Sequence, residues 1–232
     1  MTVTLLTPSR RRGIEILDNP AVDPELMRRS MKDVERANVL FGGRRAALAE
    51  LSNAFRRISG AATMLDVGTG RGDIPASAVA LARGMGITLH TIGMDLSLPL
   101  VTGVRNGNEH VLRGDALALP FRDKSVDIVL ASQVLHHFTE DSAAALIAEM
   151  NRVARSSVVI SDLKRSLIAA AGLWLGSFPL GFHPVSRHDG VVSVMRGFLP
   201  VELADLVEHA TGQRPAVERR LGFRVTTSWT PL

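Results

Sequence analysis

The chain has 232 residues, 46 % of them hydrophobic and 22 % charged, the profile of one soluble globular domain with a large core, which excludes disorder, collagen-like repeats and coiled coil. It contains no cysteine, so disulfides, zinc-thiolate and iron-sulfur sites and a cysteine nucleophile are excluded, and folding needs no oxidising compartment. Its 27 Lys and Arg against 23 Asp and Glu give a formal charge of +4, and that excess lies wholly in residues 1–60, which hold 11 basic and 7 acidic side chains.

From the start, Arg10, Arg11 and Arg12 form a basic cluster with no apolar run of signal-peptide length after it, so a cytoplasmic protein is expected. Asp23-Pro24-Glu25 reads as a helix start, with Leu26, Ser30, Val34, Ala37 and Phe41 on one face and Gly42-Gly43 as its end. A second helix begins near Arg44, with Leu48, Leu51, Phe55 and Ile58 as its buried stripe. Residues 1–60 are therefore expected to form an N-terminal helical lid, and 61–232 the main domain. Strands are predicted at 63–67, 87–94, 110–113, 126–131 and 158–161, alternating with helices at about 74–84, 97–106, 140–153, 163–175 and 200–211. Continuous apolar strands with helical crossovers imply an α/β fold, a doubly wound parallel sheet covered on both faces. The uncharged stretch Ser166 to Phe182 is interrupted by Gly172, Gly176, Pro179 and Gly181, and reads as a buried helix and an apolar loop. No stable membrane insertion is expected from it; a membrane-surface contact is the lesser reading. Ala216–Leu221 and Phe223–Trp229 around Gly222 read as a closing antiparallel hairpin.

The most informative stretch is Leu65-Asp66-Val67-Gly68-Thr69-Gly70-Arg71-Gly72-Asp73, an acid at a strand end followed by a Gly-rich turn opening a helix. A dinucleotide fingerprint needs glycine at 68, 70 and 73. Asp73 puts a negative charge where a pyrophosphate would sit, so a ligand without phosphate is favoured, and Asp66 suits an ammonium group. Asp95 at the next strand end, followed by Leu96, can accept both hydroxyls of a ribose. Asp115-Ala116 offers an acceptor for an exocyclic adenine amine, and the fourth strand opens through Ser132 onto Gln133-Val134-Leu135-His136-His137-Phe138. Each alone is also a tight turn, a helix cap or a surface turn. Together they converge on the crevice where open α/β sheets bind ligands.

This series resembles the class I S-adenosylmethionine-dependent methyltransferases, in their small-molecule quinol and natural-product branch. The resemblance implies a seven-stranded sheet of order 3-2-1-4-5-7-6 with the last strand antiparallel, and S-adenosyl-L-methionine as cofactor. It assigns Asp66, Gly68 and Gly70 to the methionyl part, Asp95 to the ribose, Asp115 and Ala116 to the adenine, and Ser132 to the pocket below the sulfonium, with Thr69 and Leu96 also binding the cofactor. It also implies that the N-terminal helices and residues 164–198 cover the acceptor site.

Absences narrow the acceptor. Cytosine C5 methylation needs a thiol, and the Ser132-Gln133-Val134-Leu135 exit lacks the Asp/Asn-Pro-Pro-aromatic pattern of amino-directed DNA enzymes. Asp162 has no evident second and third ligand, so no metal is expected. The expected function is O-methylation, less readily C-methylation, of a hydrophobic phenolic or polyketide-like small molecule by in-line displacement. The alternatives are an RNA methyltransferase using the basic N-terminal segment and a non-catalytic cofactor-binding regulatory module. No nucleic-acid partner is expected, and a homodimer is left open. His188 beside Asp189 is the first base candidate and His137 the second, either a base or a pocket wall. His183, Arg165, Arg187 and Arg196 are candidates for holding the acceptor, the arginines equally for pairing with Asp162, Asp189 and Glu202.

Overall fold

The structure, a computed structural model, describes residues 7–11, 13–19, 21–97, 100 and 110–232. Two helices lead: α1 (Pro24–Leu40) and α2 (Gly43–Phe55). The Asp23 side chain accepts from the N–H groups of Glu25 and Leu26, and Pro24 occupies the first turn, where no N–H is needed. Then follow β1 (Ala61–Val67), α3 (Asp73–Gly84), β2 (Thr88–Asp95), β3 (His110–Arg113), β4 (Val126–Ser132), α4 (Glu140–Val153), β5 (Ala154–Leu163), α5 (Leu167–Ser177), α6 (Pro184–Arg196), α7 (Pro200–Thr211), β6 (Val217–Arg220) and β7 (Arg224–Trp229).

The seven strands form one sheet in the order β3-β2-β1-β4-β5-β7-β6, as the resemblance implied. β1 pairs in parallel with β2 and β4, β4 with β5, and β7 runs antiparallel between β5 and β6. Side chains alternate between two apolar layers, as a sheet covered on both faces requires. On one face Leu51 and Phe55 of α2 and Ile74 and Ala78 of α3 pack with Met64, Ile128, Leu130 and Val159. On the other, Leu146, Ile147 and Met150 of α4 and Leu203 and Val207 of α7 pack with Val129, Ile160, Val225 and Trp229. Each fully buried Leu, Ile, Met or Phe side chain contributes about 1.5–3 kcal/mol by leaving water. Within the 1–60 segment, α2 is thus a core helix of the sheet, while α1 and the described residues before it lie over the domain.

One buried carboxylate ties α2 to the closing hairpin. Glu50 accepts from Arg220, from Thr226 Oγ1 at 2.8 Å and from Ser228 Oγ at 3.0 Å. Burial pushes its carboxyl up, but these donors overcome that and hold it below the usual range.

Three expectations change. β5 runs on to Leu163 because it pairs on both edges, with β4 and β7, so the helix placed at 163–175 begins only at Leu167, after Ser166 accepts from Ala169 N–H. The apolar loop of 173–182 is partly helix, since α5 continues to Ser177, and Leu167, Ile168, Trp174, Leu175 and Phe178 lie exposed. Pro184–Arg196, where no element was expected, forms α6: His183 caps it, Pro184 fills its first position, and Gly190 lets Leu173 of α5 pack against it. The helix expected at 97–106 lies mostly outside the described residues. Among the described residues no helix is long and apolar enough to cross a membrane.

Candidate active site at the carboxyl ends of the strands

The Gly-rich turn after β1 is held by backbone bonds from Gly68 and Thr69 N–H to Met94 O, at 2.8 and 3.0 Å. Gly68 has φ +70, and a Cβ there would stand 2.5 Å from Val134 Cγ2, so only glycine brings this loop against the β4 exit. Gly70 has φ +54 and faces open space where a side chain would stand. Asp95 spans the turn: Oδ2 accepts from Gly70 N–H at 3.0 Å and Oδ1 from Ser97 N–H at 2.9 Å. Asp115 Oδ1 accepts from Leu117 N–H at 2.9 Å in its own turn, Ala116 is half-buried against the core, and Leu96 is exposed.

Asp66 is buried at the end of β1. Burial pushes its carboxyl up to about 7, aided by the charges of Asp73 and Asp95 and opposed by the Thr69 hydroxyl. Ser132 Oγ is buried with no hydrogen-bond partner among the described residues. A buried acid that gains from a cation, an unsatisfied hydroxyl and a glycine facing open space fit the ammonium, sulfonium and backbone-proximal parts of S-adenosylmethionine. From α1, Glu35 meets Arg71 at 2.8 Å and Asn38 accepts from Gln133 Nε2, so this helix covers the loop.

Two histidine-carboxylate pairs stand side by side where β4 ends. His136 Nδ1 lies 2.7 Å from Asp162 Oδ1, both buried, and the His137 ring lies 4.3 Å from that of His136. Burial pushes Asp162 up, but the His136 charge and hydrogen bond and the Leu163 N–H hold it below the usual range. His137 Nδ1 lies 3.0 Å from Asp18 Oδ1 and 3.9 Å from Glu15 Oε2. Burial lowers the His137 pKa, yet the Asp18 bond and the charges of Glu15 and Asp18 raise it overall. Its charge is felt at Asp95, where it opposes the upward push of burial.

Asp18 and Glu15 belong to a strap, described at residues 7–11 and 13–19, laid across the domain. Arg165 donates to Pro8 O at 2.6 Å and forks onto Glu202 at 2.6 and 3.0 Å. The Asp189 carboxylate accepts from Ile16 and Leu17 N–H, both at 2.9 Å. Arg196 bonds Glu15, Asp18 and Gly13 O. Burial pushes the Asp18 carboxyl up, but His137 and Arg196 bring it down to about 2.

The candidates thus fall into two groups. His137 stands in the β4 cluster. His188 also meets a carboxylate, Asp189 Oδ1 at 2.8 Å, but its side chain is 52 % exposed and that carboxylate anchors the strap. Arg165 and Arg196 are spent on the strap and Glu202, and Arg187 stacks 3.6 Å over Phe178 and bonds Ser177 Oγ. His183 Nδ1 accepts from Val185 N–H as a helix cap. The premise behind expecting no metal, that Asp162 stands without neighbouring ligating groups, does not hold, because His136 is set against it and Glu15 and His137 lie beside His136. Sequence reasoning missed His136, Glu15 and Asp18. For His136 a signal existed: β4 and β5 are neighbours in the implied order, so a side chain just after β4 and one at the end of β5 meet.

Sheet order, Gly-rich turn and strand-end acids define the class I, S-adenosylmethionine-dependent methyltransferase fold. In agreement, residues 65–160 match the family described as Methyltransferase domain. A demethylmenaquinone methyltransferase of Roseiflexus sp. (strain RS-1) is 32 % identical over 119 residues, 47 % of each chain. A probable tRNA methyltransferase 9B of Mus musculus is 42 % identical over 66 residues, 28 % of this chain and 15 % of that one. The matched stretch spans less than half the length of either relative. Among solved structures, a SAM-dependent methyltransferase from Aquifex aeolicus superposes with a TM-score of 0.57 at 19 % identity, covering 90 % of this chain and 99 % of that one, a likeness of fold.

Proposed function

We propose that the protein methylates an oxygen of a hydrophobic phenolic or polyketide-like small molecule, with S-adenosylmethionine as donor, in the cytoplasm and within natural-product biosynthesis. The observation that carries this reading is the pair of histidine-carboxylate contacts at the β4 exit, set beside the Gly-rich turn. When bound, the cofactor supplies an electrophilic methyl on a sulfonium. Asp66 would hold its ammonium, Asp95 its ribose, Asp115 the adenine amine, and Gly68 and Gly70 would let the backbone approach it. A phenol must lose its proton to attack, and we assign that proton to His137. Asp18 stabilises its charged form and fixes its ring, whereas half-exposed His188 sits on a carboxylate already committed to the strap. The strap and α1 lie over this end of the sheet, and their closing on a bound acceptor would let an anionic oxygen meet the methyl in a dry setting.

Calorimetry with the demethylated cofactor and turnover with a panel of phenols test this. Absence of cofactor binding removes the reading, and binding without turnover of any acceptor favours a regulatory module. The similarity to the tRNA methyltransferase sustains one further reading, RNA as acceptor. Arg10 counts against it, since it is half-buried, donates to Arg196 O and Phe138 O, and lies 4.1 Å over Phe198. That reading gains if salt-dependent RNA binding falls when Arg10, Arg11 and Arg12 are replaced.

A further inference from the structure

We infer that Glu15, His136 and His137 form a binding site for one divalent cation of the zinc type at the mouth of β4. Each offers one ligand atom, and the three atoms lie within 4.8 Å of one another. Ligands around a tetrahedral ion at about 2.1 Å stand roughly 3.4 Å apart. The three groups therefore need to draw in by about an ångström, within the reach of side-chain rotation. Two imidazoles and one carboxylate are the donor set that zinc and its neighbours favour over magnesium or calcium. Three protein ligands also leave a coordination position open, and a cavity of about 230 Å3 adjoins the group, lined by His136, His137, Ile14 and Phe138 and also by Arg10, Arg11 and Arg196, whose charges favour an anionic ligand at that open position.

The surroundings orient these ligands. Asp162 takes the Nδ1 side of His136, which leaves Nε2 as the atom that ring can offer, and the carboxylate-histidine contact is the usual support behind a metal-bound imidazole. Glu15 is buried, and one of its oxygens, Oε1, is taken by Ser193 Oγ at 2.8 Å and Arg196 Nη1 at 2.9 Å. Its other oxygen, Oε2, lies toward His137. Asp18, 3.0 Å from His137 Nδ1, supports that ring as Asp162 supports His136. A purely structural network of ion pairs would be satisfied by Arg196 with Glu15 and Asp18. It would not call for two adjacent imidazoles, one backed by a buried carboxylate, beside the same glutamate.

The ion's role, though not its binding, rests on the proposed methyl transfer. With the open position turned to the cavity, its charge would favour loss of the acceptor's hydroxyl proton to solvent, and His137 would then serve as ligand instead of base.

The test uses full-length untagged protein stripped with a chelator and titrated with Co(II), whose ligand-field absorption reports coordination without any turnover. One equivalent with visible absorption, displaced by Zn(II), is expected. Glu15→Gln and His137→Ala should each weaken binding at least about ten-fold while still binding the demethylated cofactor, and Asp162→Asn should weaken it about 10- to 100-fold. His209→Gln, a control on α7, should change nothing. Absence of the absorption, its survival in both ligand variants, or its loss in the His209 control would overturn the site. Cofactor binding read in the same samples separates that failure from failure of the methyltransferase reading. Co(II) binding with turnover unaffected by the chelator would keep the site and remove its role in the transfer.

Discussion

The Nδ1 of His136, one turn beyond β4, lies 2.7 Å from Oδ1 of Asp162 at the end of β5, and both side chains are sealed from water. Breaking such a pair leaves one polar group buried without its partner, which costs about 3–5 kcal/mol when that group is charged. His136→Ala should therefore lower unfolding stability by about that amount in urea titrations. Asp162→Asn, which keeps a neutral partner in place, should cost less. Equal stability of His136→Ala and the parent would mean that Asp162 is not ionised there.

Gly68→Ala places a methyl 2.5 Å from Val134 Cγ2 at a backbone φ of +70. The left-handed conformation costs about 1–2 kcal/mol for a residue with a Cβ, and the clash adds about 1–3 kcal/mol. Thermal melts should fall by about 4–20 °C for a chain of this size, and affinity for the demethylated cofactor should drop. Adding Val134→Ala should recover part of the stability, because it removes the clash but not the strain.

Asp66 makes the cofactor-free protein pH-dependent. Its folded pKa is about 7 against an ordinary value of 3.8, so between those values the folded state holds a proton that the unfolded state has released. The Asp66 contribution to stability accordingly falls as pH rises from about 4 to about 7 and levels off above, by up to ~4 kcal/mol, while the raised His137 pKa carries a further fall to higher pH. Asp73 and Asp95 are also raised, chiefly by burial, and add the same sign, while the depressed Asp18 acts only in more acidic solution. Melts of Asp66→Asn across this window should be flatter than those of the parent. If the carboxylate meets the cofactor's ammonium, calorimetry below pH 7 should also register proton release on binding.

The strap separates the two base candidates. Asp189→Ala deletes the acceptor of the Ile16 and Leu17 N–H groups and should loosen the segment that carries Asp18 to His137. A cost of about 1–3 kcal/mol is expected, together with faster proteolysis of the N-terminal region and loss of turnover. His188→Ala should leave stability and turnover near the parent's, and His137→Ala should abolish turnover with cofactor affinity intact. Loss of turnover in His188→Ala alone would reverse the assignment of the base.

The sheet was legible because its signals are local. Apolar runs such as Val126–Ala131 and the Gly-rich turn after Val67 announce themselves within a few residues, and only the strand order had to come from resemblance. α6 hid because Arg187-His188-Asp189-Gly190 has the composition of a turn, and what makes it a helix is Gly190 receiving Leu173 from α5. The β4 cluster hid for a different reason. His137 meets Asp18 across 119 residues and His136 meets Asp162 across 26, and no periodicity within one element encodes either meeting.

Glu50 bears on the order in which the molecule can be completed. Its three donors come from Arg220, Thr226 and Ser228, 170 to 178 residues further along. A growing chain thus presents α2 long before the hairpin exists that neutralises this carboxylate. Until then the outer edge of β5 is also unpaired. Nascent chains halted short of residue 217 should consequently remain loose, bound by chaperones and open to proteases, and the whole sheet should lock in one late step when the hairpin slides in beside β5.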